Sequence, residues 1–211
     1  SGSLTKQGAG TIKLTANNTY TGATTISAGS LIFENDAPNI VTSGFSGAGS
    51  LTIQPASASF TSALTLPAVF GASSLGGLTI GKSTNTAALT VQNNISIAGP
   101  ITLYGGDVTF NAQVSTSTGD ILVRSSGVTT IASGKQLSTT NGNIVLTTAQ
   151  LVNNSNATAL NPSGSGKYWQ VWSTNASPFT GAGADVLGGL SFDYVQYAAS
   201  YGSTRSEERR V

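Results

Sequence analysis

The sequence of 211 residues contains no cysteine, histidine or methionine, and only 8% of its residues are charged. The absence of cysteine excludes a disulfide framework and thiolate chemistry. Without histidine or cysteine there is also no Ser-His-Asp or Cys-His catalytic group. The formal net charge of +1 leaves neither a basic patch for nucleic acid nor an acidic tract for cations. No apolar run approaches the roughly 18 residues of a membrane-spanning helix, so no membrane insertion is expected.

Glycine and β-branched residues are abundant instead, and the hydrophobic fraction of 38% is too high for a solvated, disordered tail. The pattern Gly, any residue, aliphatic, any residue, apolar returns at intervals of roughly 20 residues, which is typical of repeat architectures. Its instances are GTIKL at Gly10, GSLIF at Gly29, GSLTI at Gly49, GGLTI at Gly76, GPITL at Gly99, GDILV at Gly119, GNIVL at Gly142 and, at double spacing, GGLSF at Gly188.

Within each copy apolar and polar residues alternate with period two, which predicts a half-buried β-strand. One face would be buried: Ile12, Leu14, Leu31, Phe33, Leu51, Ile53, Leu78, Ile80, Ile101, Leu103, Ile121, Val123, Ile144 and Leu146. The other would face solvent: Thr11, Lys13, Ser30, Thr52, Thr79, Thr102 and Asn143.

Further apolar anchors divide each repeat into three short strands separated by turn pairs such as Asn-Gly. The anchors are Ile95, Ile101 and Val108, then Val114, Ile121 and Val128, then Leu137, Ile144 and Leu151. Three strands per turn of about 20 residues predict an all-β, parallel β-helix (a solenoid), and parallel crossovers favour the right-handed form. A β-sandwich is the alternative fold, but it does not require one strand type to recur at near-constant spacing.

Residues 4–31 resemble the autotransporter-associated β-strand repeat. The pattern of that family is met by Leu4, Lys6, Gly8, Gly10, Leu14, Asn18, Tyr20, Gly22, Thr24, Gly29 and Leu31. Downstream, ITLYGGDVTFNAQV, GDILVRSS and GNIVLTT resemble filamentous-haemagglutinin-like adhesins. The resemblance implies a secreted or surface-exposed bacterial fibre, exported through the outer membrane. The chain lacks an initiator methionine and a signal peptide, so we expect an internal or mature fragment.

Three regions are predicted along the chain. Residues 1–160 form the parallel β-helix, residues 161–202 an aromatic-rich β cap or junction at the C-terminal end, and residues 203–211 a non-native or disordered tail. RSEERRV in that tail holds five of the seventeen charges. It also matches the translation of a common sequencing adapter.

Acidic residues are the first candidates for catalysis, since some β-helices cleave polysaccharides with paired carboxylates. Glu34 and Asp36 could lie on one face of an extended segment, but they run into Pro38 and are expected at a solvated strand end. Asp107 and Asp120 each follow a turn glycine and are expected to be turn residues. No enzyme activity, cofactor or metal site is predicted.

Eight of the fifteen aromatic residues fall within residues 168–201. They could cover the open end of the apolar column, or Trp169, Trp172, Tyr194 and Tyr197 could form a carbohydrate-binding platform. In YWQVWS, alternation separates Trp169 and Val171 from Tyr168 and Trp172, so one subset is expected to be buried.

The predicted function is a structural stalk of a large adhesin-like protein, which contacts flanking rungs or domains of its own parent chain. Glycans or surface proteins of a host or of the environment would be partners of the parent protein, and nucleic acid would not. The alternatives are a carbohydrate-binding module that uses the C-terminal aromatic residues, a polysaccharide-active enzyme and, from the threonine content, an ice-binding solenoid.

Overall fold

In the computed structural model, which describes residues 2–70, 74–175, 180–192 and 201, short strands wind into a parallel β-solenoid. It has about eight turns of about 22 residues each. The predicted all-β parallel β-helix is therefore confirmed, with turns slightly longer than expected. The largest sheet, called the main sheet here, takes one strand from each turn: β2 (Thr11–Leu14), β4 (Ser30–Glu34), β6 (Ser50–Gln54), β8 (Gly77–Ile80), β11 (Ile101–Gly105), β14 (Ile121–Ser125), β17 (Ile144–Thr148) and β20 (Trp169–Ser173).

Smaller parallel sheets form the other sides of the solenoid. A three-stranded sheet contains β1 (Leu4–Lys6), β3 (Thr24–Ile26) and β5 (Phe45–Ser46). A five-stranded sheet contains β7 (Leu64–Leu66), β9 (Leu89–Val91), β12 (Val108–Phe110), β15 (Val128–Ile131) and β18 (Gln150–Asn153). A four-stranded sheet contains β10 (Ile95–Ile97), β13 (Val114–Thr116), β16 (Leu137–Thr139) and β19 (Leu160–Pro162). Among the described residues the only helical element is a 3₁₀ turn at Ala68–Phe70.

The core is a column of equivalent side chains stacked from turn to turn. Ile101, Ile121 and Ile144 are partners in the strand register, and each is 0% exposed. No single turn can bury this face alone, so the column exists only because the turns stack. Ile12 is an exception to the predicted buried face: it is 40% exposed because β2 is the first strand of the main sheet.

The prediction that Val128 is a buried anchor is also wrong. Thr129, not Val128, is the register partner of Val108 and of Leu151, and Thr129 is 0% exposed while Val128 is only half-buried. The hydroxyl oxygen of Thr129 is buried and has no hydrogen-bond partner. The column therefore contains one unsatisfied polar group, which costs free energy of folding.

Thr129→Val is expected to stabilise the chain by about 1 kcal/mol, because it replaces the unpaired hydroxyl with a methyl group of similar shape. Thr130→Val, one residue along on the outer face, should change the free energy of unfolding by less than about 0.5 kcal/mol. Chemical denaturation of both variants measures the difference. Equal effects would contradict the placement of Thr129 in the core.

Three phenylalanines pack together in the N-terminal half, which the sequence did not predict. The ring centroids of Phe33 and Phe45 are 6.2 Å apart at a steep angle, and those of Phe45 and Phe70 are 5.2 Å apart and nearly parallel. The five-stranded sheet begins only at β7, and residues 15–23 and 35–44 connect the earlier strands as loops. We infer that these large side chains fill the interior where a sheet wall is missing.

The C-terminal end departs from the predicted series of strands that each follow a glycine of the repeat. The eighth strand of the main sheet is β20, in YWQVWS, whereas GGLSF at Gly188 forms no strand in its described residues. Leu190 of GGLSF is nevertheless 5% exposed and belongs to the core cluster. Val186 forms a parallel bridge with Val152 of β18. Residues 184–190 thus close this end of the five-stranded sheet, and they will be called the C-terminal closing segment.

Candidate functional site

Every acidic side chain in the described part of the chain bonds to a neighbouring turn. Four aspartates accept a backbone N–H through Oδ1: Asp36 from Ser57 at 2.7 Å, Asp107 from Val128 at 2.8 Å, Asp120 from Asn143 at 2.7 Å and Asp185 from Leu151 at 2.7 Å. Glu34 accepts from Lys13 one turn earlier and from Gln54 one turn later. The carboxylates therefore connect turns of the solenoid.

The electrostatics of Glu34 and Asp36 do not fit a general acid. The hydrogen bond from Lys13, followed by that from Gln54, lowers the pKa of Glu34 below its ordinary value of 4.5. The backbone amide of Ser57 lowers the pKa of Asp36 below 3.8. A general acid at neutral pH needs a raised pKa, and both carboxyl groups of this pair have a lowered one. No group of three or more His, Cys, Asp or Glu side chains suited to a metal ion occurs among the described residues.

The two tryptophans of β20 point to opposite sides, as the alternation predicted. Trp169 is the register partner of Ile144, and it packs with Val171 against the core while remaining half-buried. Trp172 is the register partner of Thr147 and alternates to the outer side of the main sheet. Tyr194 and Tyr197, the other two candidates for a glycan platform, lie outside the described residues.

The structure adds two residues beside Trp172 that the sequence did not assign to this position. The rings of Trp172 and Tyr201 are perpendicular, with centroids 5.8 Å apart, and the guanidinium carbon of Arg124 lies 4.0 Å from the Tyr201 ring centroid. The register places Arg124, Thr147 and Trp172 in one column across three strands. A correct alignment of YWQVWS with the repeat would have revealed that Arg124 and Trp172 lie in one column, with Thr147 between them.

The pKa of Asp185 is shifted in the opposite direction to that of Glu34. Its burial raises its pKa above the ordinary 3.8, although the amide of Leu151 and the hydroxyl of Ser173 donate to its Oδ1. The folded chain thus holds this proton at pH values where the unfolded chain has lost it. The free energy of unfolding therefore falls as pH rises from below 3.8 through the folded pKa.

Asp185→Asn is expected to be at least as stable as the parent chain at pH 7, because the amide keeps the acceptor oxygen without the buried charge. The difference should vanish near pH 3, where the carboxyl is protonated. Glu34→Gln should show the opposite sign, since the lowered pKa of Glu34 stabilises the fold above 4.5 and this contribution is lost at lower pH. Denaturation across the pH range tests both variants, and a loss of stability in Asp185→Asn at pH 7 would contradict the argument.

Lys6, part of the N-terminal repeat, is 2% exposed and carries its charge into the fold. Its ammonium donates to the carbonyl oxygens of Gln7 at 2.9 Å, Gly8, and Ala28 at 3.0 Å in the next turn. Three carbonyl dipoles thus take the place of a counter-ion. The lysine closes the corner between the first and second turns.

Lys6→Met is expected to destabilise the chain by about 3 kcal/mol, because carbonyl oxygens lose their shared donor in a buried place. Lys13→Met is the matched control: it removes the 3.0 Å ion pair with Glu34 on the surface, which is worth under about 1 kcal/mol. Thermal unfolding compares the two. Similar losses would show that the ammonium of Lys6 does not hold the corner.

Other residues of the N-terminal repeat also serve the stacking of turns. The hydroxyls of Tyr20 and Thr24 lie 3.1 Å apart, and Thr24 donates to Thr42 of the next turn at 3.1 Å. Thr42 in turn donates to the carbonyl of Gly22 at 2.8 Å. The Tyr, Gly and Thr of the pattern Asn-x-Tyr-x-Gly-x-Thr therefore take part in bonds that join the turns.

A polar groove of about 560 Å³ crosses the four-stranded sheet, lined by hydroxyl and amide side chains that include Ser96, Ser115, Ser138 and Asn161. Several hydroxyls in this region already donate to the backbone: those of Thr116, Ser117 and Thr118 all donate to the carbonyl of Ala98. The Thr-Ser-Thr stretch at residues 116–118, one instance of the Thr-x-Thr motif that an ice-binding solenoid would need, is thus engaged within the fold.

In a comparison with known families, residues 4–33 fit the family model described as the passenger-associated-transport-repeat. No curated protein and no solved structure matches the chain. Within the described residues no helix is long and apolar enough to cross a membrane. The repeat and the β-solenoid together fit a fragment of an autotransporter passenger domain.

Proposed function

We propose that this chain is a structural stalk segment of a large, secreted or surface-exposed bacterial adhesin-like protein. The observation that carries the proposal is the use of all described carboxylates, and of Lys6, in bonds between turns. Eight strands at about 4.8 Å spacing give a rod of roughly 35 Å, which would hold a binding module away from the cell.

Export through the outer membrane is supported by the passenger-associated repeat and by the absence of cysteine. A disulfide formed in the oxidising periplasm would obstruct a chain that is threaded unfolded through a pore. Fusion of the chain to an autotransporter barrel in a Gram-negative host tests this point. We expect the chain at the cell surface, resistant to added protease, and retention in the periplasm would contradict the proposal.

The rival function is carbohydrate binding at the C-terminal aromatic residues, favoured by the exposed Tyr201, whose ring contacts Trp172. A glycan array probed with the purified chain separates the two functions. A stalk gives no saturable binding. A glycan site gives binding that Trp172→Ala abolishes and that Tyr104→Ala, on the same sheet face, retains.

A further inference from the structure

Six glycines occupy one equivalent position, one or two residues before strands of the main sheet, because the preceding turn leaves no room for a side chain. A Cβ at each would lie within 3.0 Å of backbone atoms of the turn before it. The strand register shows that they are equivalent: Gly29, Gly49, Gly76, Gly99, Gly119 and Gly142. Glycine at this position therefore marks contact with a preceding turn.

Gly10 occupies the same position before β2, where no such turn is present. The register pairs Thr11 with Ser30, which places Gly10 beside Gly29. A Cβ on Gly10 would have no heavy atom within 4 Å, and Gly10 does not adopt a positive φ. Neither crowding nor backbone conformation within this chain explains the glycine.

Ile12 and the strand edges provide a second observation at the same place. Ile12 is 40% exposed, whereas its register partner Leu31 and the next residue in that column, Leu51, are 0% exposed. Within the described residues, β1 and β2 each pair on one side only. This surface, made of Leu4–Lys6 and Gly10–Leu14 and called the N-terminal face here, lacks the neighbour that every internal turn has.

We infer that the N-terminal face docks one more β-solenoid turn of the same polypeptide, which precedes Leu4 and continues the parallel register. This inference rests on the proposed function as a stalk segment. The docked turn would place its backbone against Gly10, pair with β2 and cover Ile12 with an apolar side chain. It is continuous with the interface that already joins the eight strands of the main sheet.

A second copy of the chain fits this face less well. A head-to-tail copy would bring against this face not a regular turn but an end where Val186 of the closing segment pairs with β18 and Leu190 enters the core. Two N-terminal faces related by a two-fold axis would pair antiparallel, unlike every other pair of turns. A turn from the same polypeptide satisfies both the direction and the register.

The test inserts a second copy of residues 4–23 between Ser3 and Leu4. Leu4 pairs with Thr24, so a 20-residue copy continues the observed register. We expect the inserted turn to raise the melting temperature by several degrees and to slow amide exchange at Ile12 and Lys13. Unchanged melting and exchange would overturn the inference, even if the export and glycan experiments support a stalk.

Glycine-to-alanine substitutions give a matched readout in both forms of the chain. Gly10→Ala should leave the melting temperature of the present chain unchanged or raise it slightly, and should lower that of the extended chain. Gly119→Ala should lower both, because Pro100 lies against it. Destabilisation by Gly10→Ala in the present chain would overturn the inference. Sedimentation that shows a concentration-dependent dimer with Ile12 protected would also overturn it, in favour of a second copy.

Discussion

Ile121→Asp is expected to destabilise the solenoid by about 4 kcal/mol or more, because it buries an unpaired carboxylate in a dry apolar column. Ile121 is 0% exposed, and its register partners Ile101 and Ile144 are also fully buried. Both register partners are apolar, so neither can pair with the new charge. Thermal or chemical unfolding measures the loss.

Thr102→Asp is the control for this experiment. Thr102 is half-buried on the outer side of the adjacent strand, between Thr79 and Leu122 in the register. A carboxylate there stays hydrated, so the cost should be under about 1 kcal/mol. Comparable effects of the two aspartates would show that the inward and outward faces are assigned wrongly.

The ladder of strands could be predicted because a period of two specifies the side of each residue without knowledge of its neighbours. Leu51 and Ile53 are buried and Thr52 is not, as the alternation predicts. The position of Ile12 could not be predicted in the same way. Its pattern is identical, but burial depends on whether another turn lies above it.

The sequence pattern predicts least where the spacing of the repeat changes. An additional residue in the turn before β15 moves Thr129, rather than Val128, into the column that contains Val108. β20 lacks the glycine that directly precedes or lies two residues before the other main-sheet strands, so the glycine repeat does not include YWQVWS, which the sequence predicts as part of the C-terminal β cap or junction. Only the pairing of Trp169 with Ile144 reveals it as a further turn.

The candidate site was predictable in its chemistry but not in its contacts. The lack of histidine and cysteine excluded familiar catalytic groups from composition alone. The hydrogen bond that the amide of Asn143 donates to Asp120 and the contact of Arg124 with Tyr201 join residues that are distant in sequence. Such contacts require the register between turns, which one sequence gives only approximately.

Truncation to residues 1–166 is expected to cause aggregation, whereas residues 1–202 should remain in solution. The truncation removes β20 and the closing segment, which leaves one side of β17 and of β18 without a strand partner. It also removes Leu190 from the core cluster. Open strand edges beside exposed apolar side chains pair with other chains. Light scattering at increasing concentration measures the outcome.

A third chain, residues 1–175, separates the two contributions. It keeps β20 but lacks the closing segment, so Leu151 and Asn153 lose the bonds that Asp185 and Val186 provide. We expect its tendency to aggregate to lie between those of the other two chains, because the main sheet is complete while β18 is open. If residues 1–166 instead form a monodisperse monomer that has only lost glycan binding, the C-terminal aromatic residues are a binding platform. In that case they do not close the solenoid.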